Sequence, residues 1–159
     1  MESLVILSDV DAGELLTLQR AAYVTEAQAH HDPNLPPLTQ TSEELQRELR
    51  DDAVLALGLR GDSSRLVAAV RVGIGQPDRR TAELGRLVVA PDMQGRGLGS
   101  RLLSLTEQHL PESVTEMRLF TGEFSSGNLR LYARFGYHET HRTPTPSGYD
   151  LVHLAKTVG

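Results

Sequence analysis

Apolar positions recur along the chain with two different periods, and these periods predict its secondary structure. Short apolar or alternating segments predict strands at residues 4–7, 53–59, 66–72, 81–89, 117–121, 137–142 and 149–156. Apolar residues at helical spacing predict helices at residues 11–29, 42–50, 97–110 and 126–135. Residues 30–40 contain three prolines and are expected to be irregular. Asp11, and either Thr41 or Ser42, are the predicted caps of the first two helices.

The lengths of the connections predict how the strands pair. Short loops join strands 53–59, 66–72 and 81–89, so these strands should be antiparallel, because a parallel crossover needs a dozen or more residues. Strands 137–142 and 149–156 should form a last antiparallel pair. The predicted order is β-α-α-β-β-β-α-β-α-β-β. The expected fold class is therefore α/β, with one mixed, mostly antiparallel sheet flanked by helices in a single domain over residues 1–159.

Composition excludes several functional classes. The chain has no cysteine, which excludes disulfides, thiolate metal sites and a cysteine nucleophile. A net charge of −5 argues against general nucleic-acid binding and suits a cationic partner such as an amine, although solubility alone also explains it. The N-terminus resembles a first strand more than a signal peptide, and no apolar stretch approaches the ~20 residues of a membrane helix. A cytoplasmic location, with no membrane partner, is expected.

A glycine-rich loop between a strand and a helix is the strongest chemical signal. After Leu87, Val88 and Val89, the chain runs through Gln94-Gly95-Arg96-Gly97-Leu98-Gly99-Ser100 into a helix. Glycine permits close approach of a ligand to the backbone, and the free amides and dipole of a helix start favour phosphate. Arg96 and Arg101 could add charged hydrogen bonds. A turn that binds nothing is the alternative, whereas the spacing matches neither a P-loop nor a dinucleotide fingerprint.

Gln94, Gly97 and Gly99, placed between such a strand and an amphipathic helix, closely resemble the acetyl-CoA signature of the GNAT superfamily of N-acetyltransferases. The element order resembles that fold over nearly the whole chain. The resemblance implies acetyl-CoA as co-substrate, with its pantetheine arm and thioester along the backbone of Leu87, Val88 and Val89. It implies that the pyrophosphate rests on Gln94, Gly95, Arg96, Gly97, Leu98, Gly99 and Ser100.

The segment Leu131-Tyr132-Ala133-Arg134-Phe135-Gly136-Tyr137 resembles the second GNAT signature. The resemblance implies that the Tyr132 hydroxyl lies near the thioester sulfur, where it contacts the cofactor and acts as the acid. A buried core tyrosine is the alternative. Many family members carry a cofactor-binding Asn seven residues earlier, a position that is Ser125 here. Asn128 shares a helical face with Ser125 and is the preferred replacement, because its amide both donates and accepts hydrogen bonds.

Acyl transfer needs an acid, an oxyanion donor and a neutral amine. Tyr132 is the expected acid, and the backbone N–H of Val89 is the expected donor, freed by a bulge that the resemblance implies in this strand. Glu83 is the candidate base, because strand alternation puts it on the face of Leu87 and Val89. An anion that only binds the amine, or a surface residue, is an equal alternative for Glu83.

Two further carboxylates are candidates for the acceptor side of the site. Glu123 is a second candidate for the base, and it is expected, with Glu26, to line the acceptor site. The run from His30 to Asp32 is a further candidate for that lining. His30 and His31 lack a third ligand, so no metal is expected.

The function expected from these residues is transfer of an acetyl group from acetyl-CoA to a primary amine by direct attack in a ternary complex. A non-catalytic acyl-CoA sensor and a nucleotide-binding protein stay open as alternatives. The acceptor could be a small molecule or a peptide N-terminus, and the resemblance also allows for a homodimer.

Overall fold

A seven-stranded sheet runs through the computed structural model, which describes residues 1–159. Its strands are β1 (Ser3–Ile6), β2 (Val54–Arg60), β3 (Leu66–Ile74), β4 (Thr81–Val89), β5 (Glu116–Gly122), β6 (His138–Pro144) and β7 (Asp150–Thr157). Their spatial order is β1-β2-β3-β4-β5-β7-β6, and every neighbouring pair is antiparallel except β4–β5. The predicted mixed, mostly antiparallel sheet is confirmed.

Five helices flank the sheet: α1 (Ala12–His30), α2 (Pro36–Thr39), α3 (Ser42–Arg50), α4 (Leu98–His109) and α5 (Ser126–Arg134). The short helix α2 lies in the segment expected to be irregular, so that expectation is wrong there. Two prolines start this helix, because proline fixes the φ angle of a first helical turn and needs no hydrogen bond at that position. No helix has the length and apolar character that crossing a bilayer would require.

The two predicted caps behave differently. Thr41 caps α3 through a reciprocal pair, in which its hydroxyl accepts from Glu44 N–H at 3.2 Å and Glu44 accepts from Thr41 N–H at 3.0 Å. Asp11 stands at the N-cap of α1, but its side chain makes no capping bond to that helix. Its carboxylate accepts from Ser8 N–H at 2.9 Å instead.

Two hydrophobic clusters lie on opposite faces of the sheet. The larger has 19 buried residues and packs α4 and α5 against the sheet, with Leu57 and Leu102 fully enclosed. The smaller has 11 residues and packs α1 and α3, with Leu45 at its centre. Truncation of such a leucine to alanine costs about 2–5 kcal/mol.

A bulge interrupts β4 beside β3. Ala69 pairs with Val88 and Arg71 pairs with Gly85, so the single residue Val70 of β3 lies opposite two residues of β4, Arg86 and Leu87. Of these two, Arg86 has a left-handed φ of 54°. The bulge implied by the resemblance is confirmed. It also makes the assumed alternation wrong, because Glu83 now shares its face with Gly85 and Val88 rather than with Leu87 and Val89.

The sheet opens between β4 and β5. These parallel strands pair only at Thr81–Glu116, Ala82–Met117 and Glu83–Arg118. Past Glu83 the two strands have no paired residues, so the later half of β4 presents backbone groups to a gap instead of to a neighbour. The glycine loop and α4 begin at the end of that gap.

Candidate active site

A cavity of about 570 Å³ lies where the sheet opens, between the end of β4, the glycine loop, the start of α5 and the C-terminal half of α1. Most of the predicted cofactor residues line it: Leu87, Val88, Val89, Gln94, Gly95, Gly97, Leu98, Gly99, Ser100 and Asn128. Arg96 and Tyr132 do not belong to the lining. Segments far apart in the sequence therefore meet at one cavity.

The glycine loop presents a row of free amides. Gly95 and Gly97 have φ angles of 79° and 76°, which disfavour any residue with a Cβ. A Cβ built on either glycine would meet no atom within 4 Å, so the backbone conformation, and not crowding, requires glycine. The backbone amides of residues 95–100 donate no hydrogen bond to the protein. They are thus suited to bind the oxygens of a pyrophosphate at the start of α4.

The backbone N–H of Val89 points into the gap. Ala90 N–H donates to Val67 O at 2.8 Å, which makes Ala90 and Val67 a hydrogen-bonded pair of the antiparallel ladder. Because such pairs alternate, the next pair, Val89 and Ala68, turns its polar backbone groups away from each other. The amide of Val89 therefore faces the side where β5 has left the sheet.

Three arginines near the loop have different surroundings. Arg96 is exposed outside the cavity lining, and its charge lowers the pKa of Asp92 after the larger effect of Arg65. Arg101 donates to Glu2 O at 2.7 Å, so the structure engages it with the N-terminal strand. Arg134, which no pattern in the sequence indicated as a site residue, lies at the rim of the cavity. Arg134 belongs to the segment that resembles the second signature, but that resemblance does not predict that its side chain lies at the cavity.

Asn128 and Ser125 have separate roles at the start of α5. The side-chain amide of Asn128 lines the cavity and has no hydrogen-bond partner in the protein. The hydroxyl of Ser125 is buried and donates to the carboxylate of Glu26 on α1. Of the two candidates, only Asn128 has its polar atoms free for a ligand.

One face of α1 carries four polar residues at helical spacing: Gln19, Tyr23, Glu26 and His30. Tyr23 and Glu26 line the cavity. His30 is buried, and its Nδ1 lies 2.9 Å from Glu26 O while its Nε2 accepts from Phe124 N–H at 3.0 Å. Since a carbonyl only accepts, Nδ1 carries the proton. His30 thereby ties the end of α1 to the turn that holds Ser125.

Tyr132 lies in the larger hydrophobic cluster, 5% exposed, with its ring edge-to-face against Tyr137 at 5.8 Å. Its hydroxyl donates no hydrogen bond within the protein. Burial raises the pKa of Tyr132 far above its usual value, and the neighbouring Tyr23, Tyr137 and Glu26 raise it further. The phenol therefore keeps its proton at neutral pH. Tyr23 and Glu26, which line the cavity, are close enough to act on it electrostatically.

The other two candidate carboxylates lie away from the cavity lining. Glu123 accepts from the backbone N–H of Asp150, a contact that joins the end of β5 to β7. Glu83 is exposed on the open face of the sheet. There its charge opposes the lowering of the His153 pKa, which burial and His141 cause. The structure therefore brings Glu26, but not Glu83 or Glu123, to the cavity where the glycine loop ends.

A sheet that opens between two strands, a loop of free amides and an adjoining helix start form a site that fits the pantetheine arm and pyrophosphate of an acyl-CoA donor. The chain belongs to the acetyltransferase (GNAT) family, whose model matches residues 16–137. Acetyl-CoA is the co-substrate of this family. A comparison with curated protein sequences finds no match.

Solved structures share the fold over the whole chain. The ribosomal-protein-S18-alanine N-acetyltransferase from Escherichia coli has a TM-score of 0.81 at 19% identity, covering 100% of this chain and 95% of that one. The PaiA N-acetyltransferase from Thermoplasma acidophilum, in complex with coenzyme A, has a TM-score of 0.81 at 20% identity and 99% coverage of both chains. The spermidine N-acetyltransferase from Vibrio cholerae, in complex with CoA and spermine, has a TM-score of 0.76 at 15% identity, covering 99% and 95%.

Proposed function

We propose that this protein transfers an acetyl group from acetyl-CoA to a primary amine by direct attack in a ternary complex. The observation that carries the proposal is the arrangement of three groups at and behind one cavity. The free backbone amide at the end of β4 and the carboxylate of Glu26 line the cavity, and the phenol of Tyr132 lies behind the lining, where Tyr23 and Glu26 act on its pKa. A module that only bound acyl-CoA would not need the last two.

The cofactor is held mainly by backbone groups. The amides of residues 95–100 bind the pyrophosphate, and the open edge of β4 binds the pantetheine arm as an added strand would. The free amide of Asn128 and the guanidinium of Arg134 add side-chain contacts at the cavity wall and rim. Arg96 contributes only if its exposed side chain turns towards the phosphates.

The chain supplies each group that the transfer requires. Glu26 accepts a proton from the acceptor ammonium, so that the neutral nitrogen attacks the thioester carbonyl carbon. The N–H of Val89 donates to the carbonyl oxygen as negative charge develops on it. The C–N bond forms as the C–S bond breaks, and Tyr132 protonates the departing sulfur. Glu26 passes its proton to solvent, and the second proton that the nitrogen loses returns to the Tyr132 oxygen through solvent. The products are an amide and free CoA, with one proton released overall.

Glu26 replaces Glu83 as the preferred carboxylate on geometric grounds. Glu26 lines the cavity, is held by the Ser125 hydroxyl and acts electrostatically on Tyr132. Glu83 shares its sheet face with Val88, beyond the bulge, and lies near His153 instead. Its role as base stays a prediction that the same assay can test.

Two measurements on the purified protein test the proposed function. Acetyl-CoA at 100 times its Kd should stabilise the fold by about 2.7 kcal/mol, which raises Tm by several degrees, whereas NAD and ATP should not. A panel of primary amines should then release free CoA. Stabilisation without release for any amine would favour the acyl-CoA sensor, and no stabilisation at millimolar acetyl-CoA would reject the cofactor assignment.

A further inference from the structure

The extra residue of the β4 bulge carries an arginine with no counter-ion. Arg86 has a left-handed φ of 54°, a conformation that residues with a Cβ rarely adopt. Its guanidinium forms none of the ion pairs of the protein, and the group to which it can donate is the hydroxyl of Tyr23. Its Nε is buried without any partner. A charged donor left unpaired inside a fold indicates a missing acceptor.

The neighbouring arginine differs in having a carboxylate partner, although its Nε, like that of Arg86, makes no hydrogen bond. Arg71, on β3, is 4% exposed, and its Nε lies 3.1 Å from Glu48. Its other nitrogens donate to Gln19 at 2.9 Å and to Gln40 at 3.2 Å. The charges of Arg71 and Arg86 act on each other, and Glu48 balances only the first of them. The pair therefore leaves one positive charge without a carboxylate.

This unbalanced charge lies beside the acceptor end of the cavity. The guanidinium of Arg86 lies against the hydroxyl of Tyr23, whose pKa burial raises and the charges of Arg86 and Arg71 lower. Tyr23 lines the cavity, and Glu26 follows it one turn later on the same face of α1. Tyr23, which Arg86 contacts, and Glu26 are i and i+3 neighbours of α1, with their Cβ atoms about 5–6 Å apart.

We propose that the acceptor carries a carboxylate close to its primary amine, as a free amino acid does, and that Arg86 and Tyr23 bind this carboxylate. The proposal rests on the proposed acetyl transfer and specifies its acceptor. The carboxylate supplies the acceptor oxygens that Arg86 lacks, and the ammonium faces Glu26 one helical turn away. A polyamine or a simple alkylamine would leave Arg86 without a counter-ion, so such acceptors should be poor.

The test compares each of several α-amino acids with its own α-carboxamide, which keeps the side chain and removes the carboxylate charge. Since amidation also makes the amine less basic, the ratio of the two rates is compared between variants at one pH. The readout is kcat/KM for CoA release by the natural chain, by Arg86→Gln and by Arg118→Gln. Arg118 is a matched control, because it is an exposed arginine of the adjoining strand that pairs with Glu116. Arg86→Gln should lower the preference for the carboxylate roughly 10- to 100-fold, as expected for a charged hydrogen bond, and Arg118→Gln should not change it.

A second readout requires no turnover. Calorimetry with CoA-bound protein should show that N-acetyl amino acids bind more tightly than their carboxamides, and that Arg86→Gln and Tyr23→Phe reduce the difference. Arg86→Lys is the control for a folding defect, because it keeps the positive charge and should therefore keep part of the carboxylate preference. The inference is overturned if the natural chain shows no carboxylate preference in either readout, or if Arg86→Gln keeps it. Acetyl-CoA binding, measured on the same samples, decides the proposed function independently.

Discussion

The two sides of the cavity present different chemical groups to their ligands. The cofactor side, formed by the end of β4, residues 95–100 and the start of α4, presents backbone amides. The acceptor side, formed by Tyr23 and Glu26 with Arg86 next to Tyr23, depends on side chains from α1 and from the β4 bulge. Backbone groups are the same in every residue, so the cofactor side depends on conformation. The acceptor side depends on residue identity, and its specificity can change without disturbing the other side.

The largest effect should come from Glu26→Gln, which keeps the shape of the side chain and removes its basicity. We expect kcat to fall about 10²- to 10³-fold at neutral pH, because the amine then attacks only as its small neutral fraction. Raising the pH should restore part of the rate. Glu83→Gln is the competing variant, and a larger loss there than in Glu26→Gln would assign the base to Glu83.

Tyr132→Phe should have the second-largest effect, with kcat about 10²-fold lower and the Kd for acetyl-CoA unchanged. The ring and its packing stay, so Tm should change little. Tyr137→Phe is the matched control, since Tyr137 is equally buried and packs edge-to-face against the same ring. Equal, small effects in both variants would make Tyr132 a core residue with no part in the chemistry.

On the cofactor side, Gly97→Ala should weaken acetyl-CoA binding about 10-fold, with a smaller effect on kcat. A left-handed φ of 76° costs a residue with a Cβ roughly 1–2 kcal/mol, so the loop would relax and its amides would lose their alignment. Gly13→Ala in α1 is the control, because Gly13 has open space around it and a helical φ. Isothermal titration should separate the two, and unchanged affinity in Gly97→Ala would remove the loop from the cofactor site.

Ser125→Ala should have a modest effect that falls on the acceptor side alone. Loss of one hydrogen bond to the Glu26 carboxylate should reduce kcat/KM for the amine about 10-fold, and acetyl-CoA Kd should hold. Asn128→Ala should show the reverse pattern, with weaker acetyl-CoA binding. A kinetic analysis that found the two patterns exchanged would mean that Ser125 contacts the cofactor after all.

The smallest effect is expected in the alkaline pH profile. Burial raises the pKa of Tyr132 above its usual value near 10, so its active, protonated form persists as the pH rises through 10. Ionisation of Tyr132 should therefore cause no fall in kcat below pH 10, and the pH profiles of the natural chain and of Tyr132→Phe should have the same shape up to that pH. A basic limb between pH 8 and 9 that disappears in that variant would contradict the assigned environment.

The same contrast explains which parts of the molecule were predictable from the sequence. Strand β4 was predicted with its observed bounds, because its alternation and the following proline are local signals. The glycine loop was predictable for a similar reason, since its function follows from consecutive residues. Tyr23 and Arg86 were not predicted as site residues, because neither belongs to a recognisable sequence motif. They come together only through the tertiary packing of α1 against the bulge. Glu83 was preferred as the base because regular alternation along β4 would put it on the same face as Val89. The extra residue of the bulge moves Val89 to the opposite face.

The bulge in β4 also bears on how the chain tolerates changes of length. Side chains after Arg86 reach their faces of the sheet only because one additional residue precedes them. Removing a single residue there would exchange Val88 and Val89 between the two hydrophobic clusters and turn the amide of Val89 back towards β3. Substitution at residue 86 or 87 preserves that count, whereas deletion does not. A deletion there should therefore disturb both hydrophobic clusters, whereas a substitution at residue 86 should change acceptor preference and leave the register of the strand intact.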